Sequence, residues 1–366
     1  MKLIIQPGDG VKSLIRGIER AKKSVEIVIF RFDRMDLERA LQNAVERGVS
    51  VRALIAYTNR GGERNLRKLE LRFLAAGITV ARTANDLVRY HGKMMLVDRK
   101  ELHLLAFNLT HLDIDHSRSF ALVTQNRQLT REAARLFDCD SKRRTYKARC
   151  SNFLVSPANA RKELAAFIKG ARKELLIYDL KISDRQMIRL LEERANAGVS
   201  VRIIGKLTRR STVLQVEPLK GIRLHARVMI RDGRHVFMGS QSMRELELDA
   251  RREIGLIVGD AKIAGSLTKV FEADWNHSGI DRKASPEPPI RASRVAKKVA
   301  RSLTNDLPAV APVVQQVIKK SLDSEVAPEI DSEMLEETVK DAVRQAVQDV
   351  VESAVESVAE APAEAK

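Results

Sequence analysis

His91-Gly92-Lys93-Met94-Met95-Leu96-Val97-Asp98 reads H-x-K-x4-D, and Asn108 follows ten residues after the aspartate. A second copy, His225-Ala226-Arg227-Val228-Met229-Ile230-Arg231-Asp232, is followed at the same interval by Ser242, the last residue of Gly239-Ser240-Gln241-Ser242. Side chains alternate along a strand, so the cation two residues after each histidine shares the histidine's face. Two histidines, each with such a cation, suggest a phosphodiester site assembled from two half-sites. The second copy is altered: its lysine has become Arg227.

Working outward, the duplication extends beyond the motifs. Ala21-Lys22-Lys23-Ser24-Val25-Glu26-Ile27 resembles Ala171-Arg172-Lys173-Glu174-Leu175-Leu176-Ile177, and Gly48-Val49-Ser50-Val51-Arg52 recurs unchanged as Gly198-Val199-Ser200-Val201-Arg202. Both matches share an offset of 150, whereas the histidines are 134 apart, so the second half lacks about 16 residues between these points. Each half predicts a helix (11–22, 157–171), a buried strand (25–30, 175–180) and a second helix (35–47, 185–197). Asp184 is positioned to cap the second copy of that second helix. Gly48 and Gly198 sit where helices end. Strands follow at 51–57 and 201–206, then motif strands at 93–98 and 227–232. Hairpin partners are expected near 102–107 and 236–238, and closing helices near 131–137 and 264–275. Strands alternating with helices of about a dozen residues indicate an α/β fold with a parallel or mixed sheet.

The chain has 366 residues, enough for two ordinary domains or one large bilobal one. Three parts are expected: a first half at 1–150, a second at 151–280 and a tail at 281–366. The net charge of +17 is uneven. The tail holds 12 Lys and Arg against 16 Asp and Glu, so the first 280 residues carry a net +21. That excess favours anionic partners, namely phosphate esters, anionic lipid headgroups or nucleic acid. Aromatic residues are 4% of the chain, which disfavours gripping single strands by base stacking while leaving backbone contacts open. Cys139 and Cys150 form no C-x-x-C pair, arguing against a disulfide framework or a structural zinc site. The opening seven residues are too poor in apolar side chains for a signal peptide, and no run of about 18 apolar residues occurs. The expected location is the cytoplasm, with peripheral attachment to an anionic membrane compatible with the basic charge.

Breaking a phosphodiester without a metal requires a nucleophile, an acid for the leaving group and fixed positive charge on the phosphoryl oxygens. One histidine can form a covalent bond to phosphorus. The other can protonate the leaving alcohol and then activate the incoming water. Lys93 and Arg227 can clamp the non-bridging oxygens.

With its paired motifs and GSxN-like segments, the chain resembles the phospholipase D superfamily over about residues 1–280. The resemblance implies a duplicated, bilobal α/β/α sandwich with a pseudo-two-fold site between the halves. It also implies a metal-independent, cofactor-free, two-step reaction through a phosphohistidine. Members include phospholipases, cardiolipin and phosphatidylserine synthases, and nucleases, so the fold does not choose the substrate. By position, His91, Lys93 and Asn108 match the first motif, and His225, Arg227 and Ser240 the second. Glu253 stands where the family often has an acid that hydrogen-bonds an active-site histidine. Asp98 and Asp232 are expected to support structure. The chain departs from the pattern at Leu105-Ala106-Phe107-Asn108, which lacks the glycine and serine, and at Gly239-Ser240-Gln241-Ser242, which lacks the asparagine. The expected activity is a phospholipase D-like phosphodiesterase or phosphatidyltransferase. A nuclease using the same histidines, and a weakened anion-binding scaffold, are the alternatives.

Other features carry less. Arg60-Gly61-Gly62, and Arg209 with Arg210 in the second half, are candidate anion holders or plain loops. His111, Asp113, Asp115 and His116 have the composition of a metal cluster but fall where the family has a variable loop. Phe271 and Trp275 read as packing residues. In the tail, 291–303 is basic and amphipathic, and 331–360 is acidic with apolar residues at helical spacing. That pattern fits either a helix for a protein partner or a disordered extension.

Overall fold

The duplication predicted from sequence is visible as two sheets with one topology. The computed structural model describes residues 1–57 and 63–280. The candidate loop Arg60-Gly61-Gly62 and both tail segments lie outside the described residues. In the first half the elements are β1 (Lys2–Gln6), α1 (Lys12–Arg20), β2 (Ser24–Ile29), α2 (Met35–Glu46), β3 (Ser50–Ile55), α3 (Glu63–Ala75), β4 (Thr79–Arg82), β5 (Arg89–Tyr90), β6 (Met94–Val97), β7 (Glu101–Leu105), α4 (His111–Asp115), β8 (Ser117–Thr124) and α5 (Arg127–Ser141). The second half contributes β9 (Phe153–Val155), α6 (Ala160–Lys169), β10 (Glu174–Ile182), α7 (Arg185–Asn196), β11 (Ser200–Leu207), β12 (Gln215–Glu217), β13 (Arg223–Leu224), β14 (Val228–Arg231), β15 (His235–Gly239), α8 (Glu245–Asp249), β16 (Arg251–Arg252), β17 (Ile254–Gly259) and α9 (Ala261–Ile280).

The first sheet runs β1-β8-β7-β6-β2-β3-β4 and the second β9-β17-β15-β14-β10-β11-β12, the same order copied. Register is copied too. Val25 pairs with Val97 and Leu175 with Arg231, which are positions related by the two offsets. Both sheets are mixed: β2, β3 and β4 are parallel, and the motif hairpin β6–β7 is antiparallel. The missing residues can be located. Arg52 pairs with Thr79 in the first sheet, whereas Arg202 pairs with Gln215 in the second. That crossover takes 27 residues in one half and 13 in the other, so the second half lacks a counterpart of α3 there.

Helices cover the outer face of each sheet because their apolar stripes have nowhere else to go. Leu14 and Ile18 of α1 and Leu37 and Leu41 of α2 close one outer core. Leu164, Phe167, Ile188 and Leu191 of α6 and α7 close the other. Asp184 caps α7, its carboxylate accepting from Met187 N at 2.9 Å. The central core draws on both halves. Leu96, Phe120 and Phe137 share it with Phe153, Tyr178, Met238 and Phe271. Tyr178 and Phe271 meet edge-on with centroids 5.1 Å apart, and Trp275 stacks on Phe271. Among the described residues no helix is long and apolar enough to cross a membrane.

Candidate active site

Each histidine is delivered by a strand two residues long, and each of these pairs with the other half. β5 lies parallel to β16, with Tyr90 opposite Arg252, and His91 N then donates to Arg252 O at 2.7 Å. β13 lies parallel to the start of β8, with Leu224 opposite Arg118, and His225 N donates to Arg118 O at 3.0 Å. Gly92, between His91 and Lys93, permits the first approach: a Cβ there would sit 2.5 Å from the Ile254 side chain.

Both histidines, Lys93 and Arg227 are buried, as are Asn108, Ser240, Ser242 and Glu253. The carboxylate of Glu253, fully buried, accepts from His91 Nδ1 at 2.9 and 3.1 Å. That hydrogen bond places the ring proton on Nδ1 and leaves Nε2 as the basic nitrogen, to which Lys93 Nζ approaches at 2.8 Å. Phe30 meets the His91 ring edge-on at 4.5 Å, and Lys93 Nζ lies 5.4 Å from its centroid.

The second half-site is built differently. The position matching Glu253 is Ser119, whose hydroxyl donates to Asp113 O at 3.2 Å. The acid nearest His225 is Asp113, with Oδ2 3.2 Å from Nδ1, a separation that lacks hydrogen-bond alignment. Asp113 Oδ2 accepts from Asn108 N at 2.8 Å and Asn108 Nδ2 at 2.7 Å, while Oδ1 accepts from Arg223 Nη1 at 2.6 Å. The same knot recurs opposite: Ser242 N donates to Glu247 Oε2 at 2.8 Å, and Arg251 Nη1 donates to Glu247 Oε1 at 3.1 Å. Arg227 Nε donates to Ser242 Oγ at 3.2 Å. Asp113 and Glu247 each stand five residues after Asn108 and Ser242, and the sequence reading missed both roles. That shared spacing was the available signal.

The buried polar atoms here without a hydrogen-bond partner include the acceptor Asn108 Oδ1 and the donor Arg227 Nη1, besides His225 Nδ1 and Arg251 Nε. Such atoms are costly unless something else satisfies them. Burial drives both histidines well below the usual imidazole range. Lys93 and Arg227 add to this for His91, and Arg227, Arg223 and Lys93 do so for His225, where Asp113 opposes them. Each cation is therefore felt across the pseudo-two-fold. Burial also brings Lys93 down to about 7, against the pull of Glu253. Glu253 is pushed up by burial, with Lys93 opposing.

The remaining sequence candidates fall elsewhere. Ser240 is fully buried, and its Oγ accepts from Ile254 N at 3.0 Å, fixing the start of β17 directly after Glu253. Asp98 and Asp232 sit in the hairpin turns and bind backbone at the starts of β2 and β10. Arg209 pairs with Glu192. His111 Nδ1 and Asp115 Oδ2 are 3.0 Å apart, Asp113 turns inward, and no cluster able to hold a metal ion is found among the described residues.

The sequence profile of the family described as cardiolipin synthase, PLD-like domain matches residues 14–141 and 164–275, and the chain belongs to that family of phosphoryl-transferring proteins. Its fold is similar to that of a phosphatidylserine synthase from Haemophilus influenzae, with a TM-score of 0.57, 11% identity, and 75% of this chain and 85% of the other covered. It is also similar to a polyphosphate kinase from Porphyromonas gingivalis, with a TM-score of 0.64 and 20% identity over 82% of this chain. This chain spans 55% of that kinase's length. No curated protein matches the chain.

Proposed function

We propose that the chain is a phospholipase D-like phosphodiesterase or phosphatidyltransferase acting on phospholipid headgroups through a phosphohistidine at His91. The observation that carries the reading is that two histidine–cation pairs meet in one buried site, each histidine tied by its backbone to the opposite half. His91 is the nucleophile because its Nδ1 is held by Glu253, which leaves Nε2 to attack phosphorus. As the N–P bond forms, the bond to the leaving oxygen breaks, and His225 supplies that oxygen with a proton. Neutral His225 then takes a proton from water or an acceptor alcohol, whose oxygen displaces His91 from phosphorus. Lys93 and Arg227 hold the non-bridging oxygens, with Arg227 Nη1 donating to one of them.

With His225 neutral, the surrounding cations admit an anion, and the bound phosphate then raises the histidine's affinity for a proton taken from solvent, which it passes to the leaving oxygen. The net +21 of the first 280 residues supports attachment to anionic membrane surfaces, and the scarcity of aromatic residues favours a lipid over a nucleic-acid strand. The test is headgroup release and transfer to an added alcohol in EDTA, together with acid-quench trapping of labelled phosphohistidine. Labelled His91 with released headgroup is expected. Oligonucleotide cleavage with no lipid turnover would move the assignment to a nuclease, and binding without any covalent label would move it to a scaffold.

A further inference from the structure

One residue before His91 and one before Glu253, Tyr90 and Arg252 turn away from the site into a separate cavity of about 270 Å³. Its wall includes Asp140, from the last turn of α5, and Asp86. Asp140 is 5% exposed, and its Oδ1 has no hydrogen-bond partner. Arg252 Nε lies 3.3 Å from the other carboxylate oxygen but is not aligned to bond to it. The guanidinium is instead placed beside two rings, 5.5 Å from the Tyr90 centroid and 6.0 Å from that of Tyr146, and its Nη1 donates to Ser156 O at 3.2 Å. The lining also includes Arg143 and Arg144, which follow Asp140 at the end of α5 and are both exposed and without an ion pair among the described residues. Arg143 has a left-handed backbone, φ 52°, because it follows the last turn of α5, where Arg143 N donates to Asp140 O and Arg144 N to Cys139 O.

We propose that this cavity is a binding site, distinct from the candidate active site, for a small zwitterion bearing a primary ammonium and a phosphate or carboxylate a few atoms apart. The ammonium meets the buried Asp140, with the exposed Asp86, which also accepts from Tyr90 Oη at 2.7 Å, nearby in the lining, and the anion meets the exposed Arg143 and Arg144. An anion alone would face two carboxylates, and a cation alone would leave both arginines unused. Burial, with Asp86 adding to it, pushes the Asp140 carboxyl up to about 6 although Arg252, 3.3 Å away, opposes the shift. Water occupies about 30 Å³ per molecule in the liquid, so the volume suits a solute of roughly eight or nine heavy atoms rather than one bridging water.

The experiment is calorimetric titration of the full chain with phosphoethanolamine and with β-alanine, which separates a phosphorylated source of the zwitterion from an amino-acid one. Ethanolamine and methyl phosphate serve as half-ligands. Binding of at least one zwitterion at one equivalent is expected. Affinity should fall at least tenfold in Asp140→Asn, at least fivefold in Arg144→Gln, and at least tenfold for either half-ligand. The idea is overturned by no binding of either zwitterion, by unchanged affinity in Asp140→Asn, or by a half-ligand that matches the whole. Loss of binding in Lys93→Met with retention in Asp140→Asn would place the ligand in the candidate active site and overturn it equally. Should Asp140→Asn fail to fold, the exposed pair Arg143→Gln/Arg144→Gln decides alone, since unchanged affinity there is incompatible with the proposal.

Discussion

Glu253 is the residue on which the proposed nucleophile depends, because among the described residues it is the carboxylate that accepts from His91 Nδ1. Glu253→Gln keeps the shape but loses the charge that orients the ring and stabilises it as it gives up its lone pair. Turnover should fall by about 100-fold or more, and imidazole ¹⁵N shifts should show His91 leaving its single tautomer. Retention of both rate and tautomer would remove Glu253 from the mechanism. Lys93 offers a prediction of opposite sign. Its ammonium is held at about 7, far below the 10.5 of an exposed lysine. Between those two values the unfolded chain binds the extra proton, so this residue's destabilising effect is full below pH 7 and fades as pH rises toward 10.5. Lys93→Met should therefore stabilise the protein at pH 6 by on the order of 2 kcal/mol, with the gain shrinking toward pH 10, while turnover is lost. Equal thermal melting of the two proteins at pH 6 would contradict this account of the buried ammonium.

At the scale of elements, Asp98 and Asp232 show what the last letter of the motif does. Each occupies a left-handed turn position, φ 51° and 52°, which aspartate tolerates better than most residues. Asp98 accepts from the backbone of Lys22, Lys23 and Ser24, and Asp232 from Arg172, Lys173 and Glu174. Each carboxylate thus ties a motif hairpin to the start of β2 or β10 in its own half. The backbone bonds hold both below the usual carboxylate range despite partial burial, so their contribution is present above about pH 4 and lost as pH falls further. Asp98→Ala should cost about 1–3 kcal/mol, read as a lower urea midpoint at pH 7 whose difference from wild type narrows near pH 3. A constant difference across that range would exclude this origin.

Legibility follows from the same elements. Helices α1, α2 and α5, strands β2, β3, β6 and β7 and their second-half counterparts are legible because the pattern occurs twice. Strands β1, β4 and β8, their counterparts β9, β12 and β17, and helix α3 are not among the sequence expectations. Nearly every residue of β8 is buried, so it has no alternation to read. Strands β5, β13 and β16, two residues each, are too short for any period, yet they position both histidines. Of the site, His91, Lys93, His225 and Arg227 were visible through local spacing, whereas Asp113 and Glu247 acquire meaning only once the chain has brought them back onto Asn108 and Ser242.

At the scale of the molecule, neither half is self-sufficient. The central core mixes side chains of both, and the acid for His91 lies 162 residues away in the other half. The duplication has also diverged in a direction that assigns roles. Glu253 faces His91, Ser119 stands in the matching place by His225, and arginine replaces lysine on the second side only. Two divergent half-sites within one chain need no second copy of that chain. Single substitutions His91→Ala and His225→Ala should each lower turnover by about 1000-fold or more, because each removes a different proton or bond partner. Equimolar mixtures of the two purified variants, refolded together, should remain as inactive as either alone. If instead each histidine worked with its counterpart on a neighbouring chain, mixing would rebuild an intact pair in about half of the dimers formed at random. Recovery of activity on mixing would thus transfer the site from within the chain to between chains, and absence of recovery with folded, mixed protein fixes it inside one molecule.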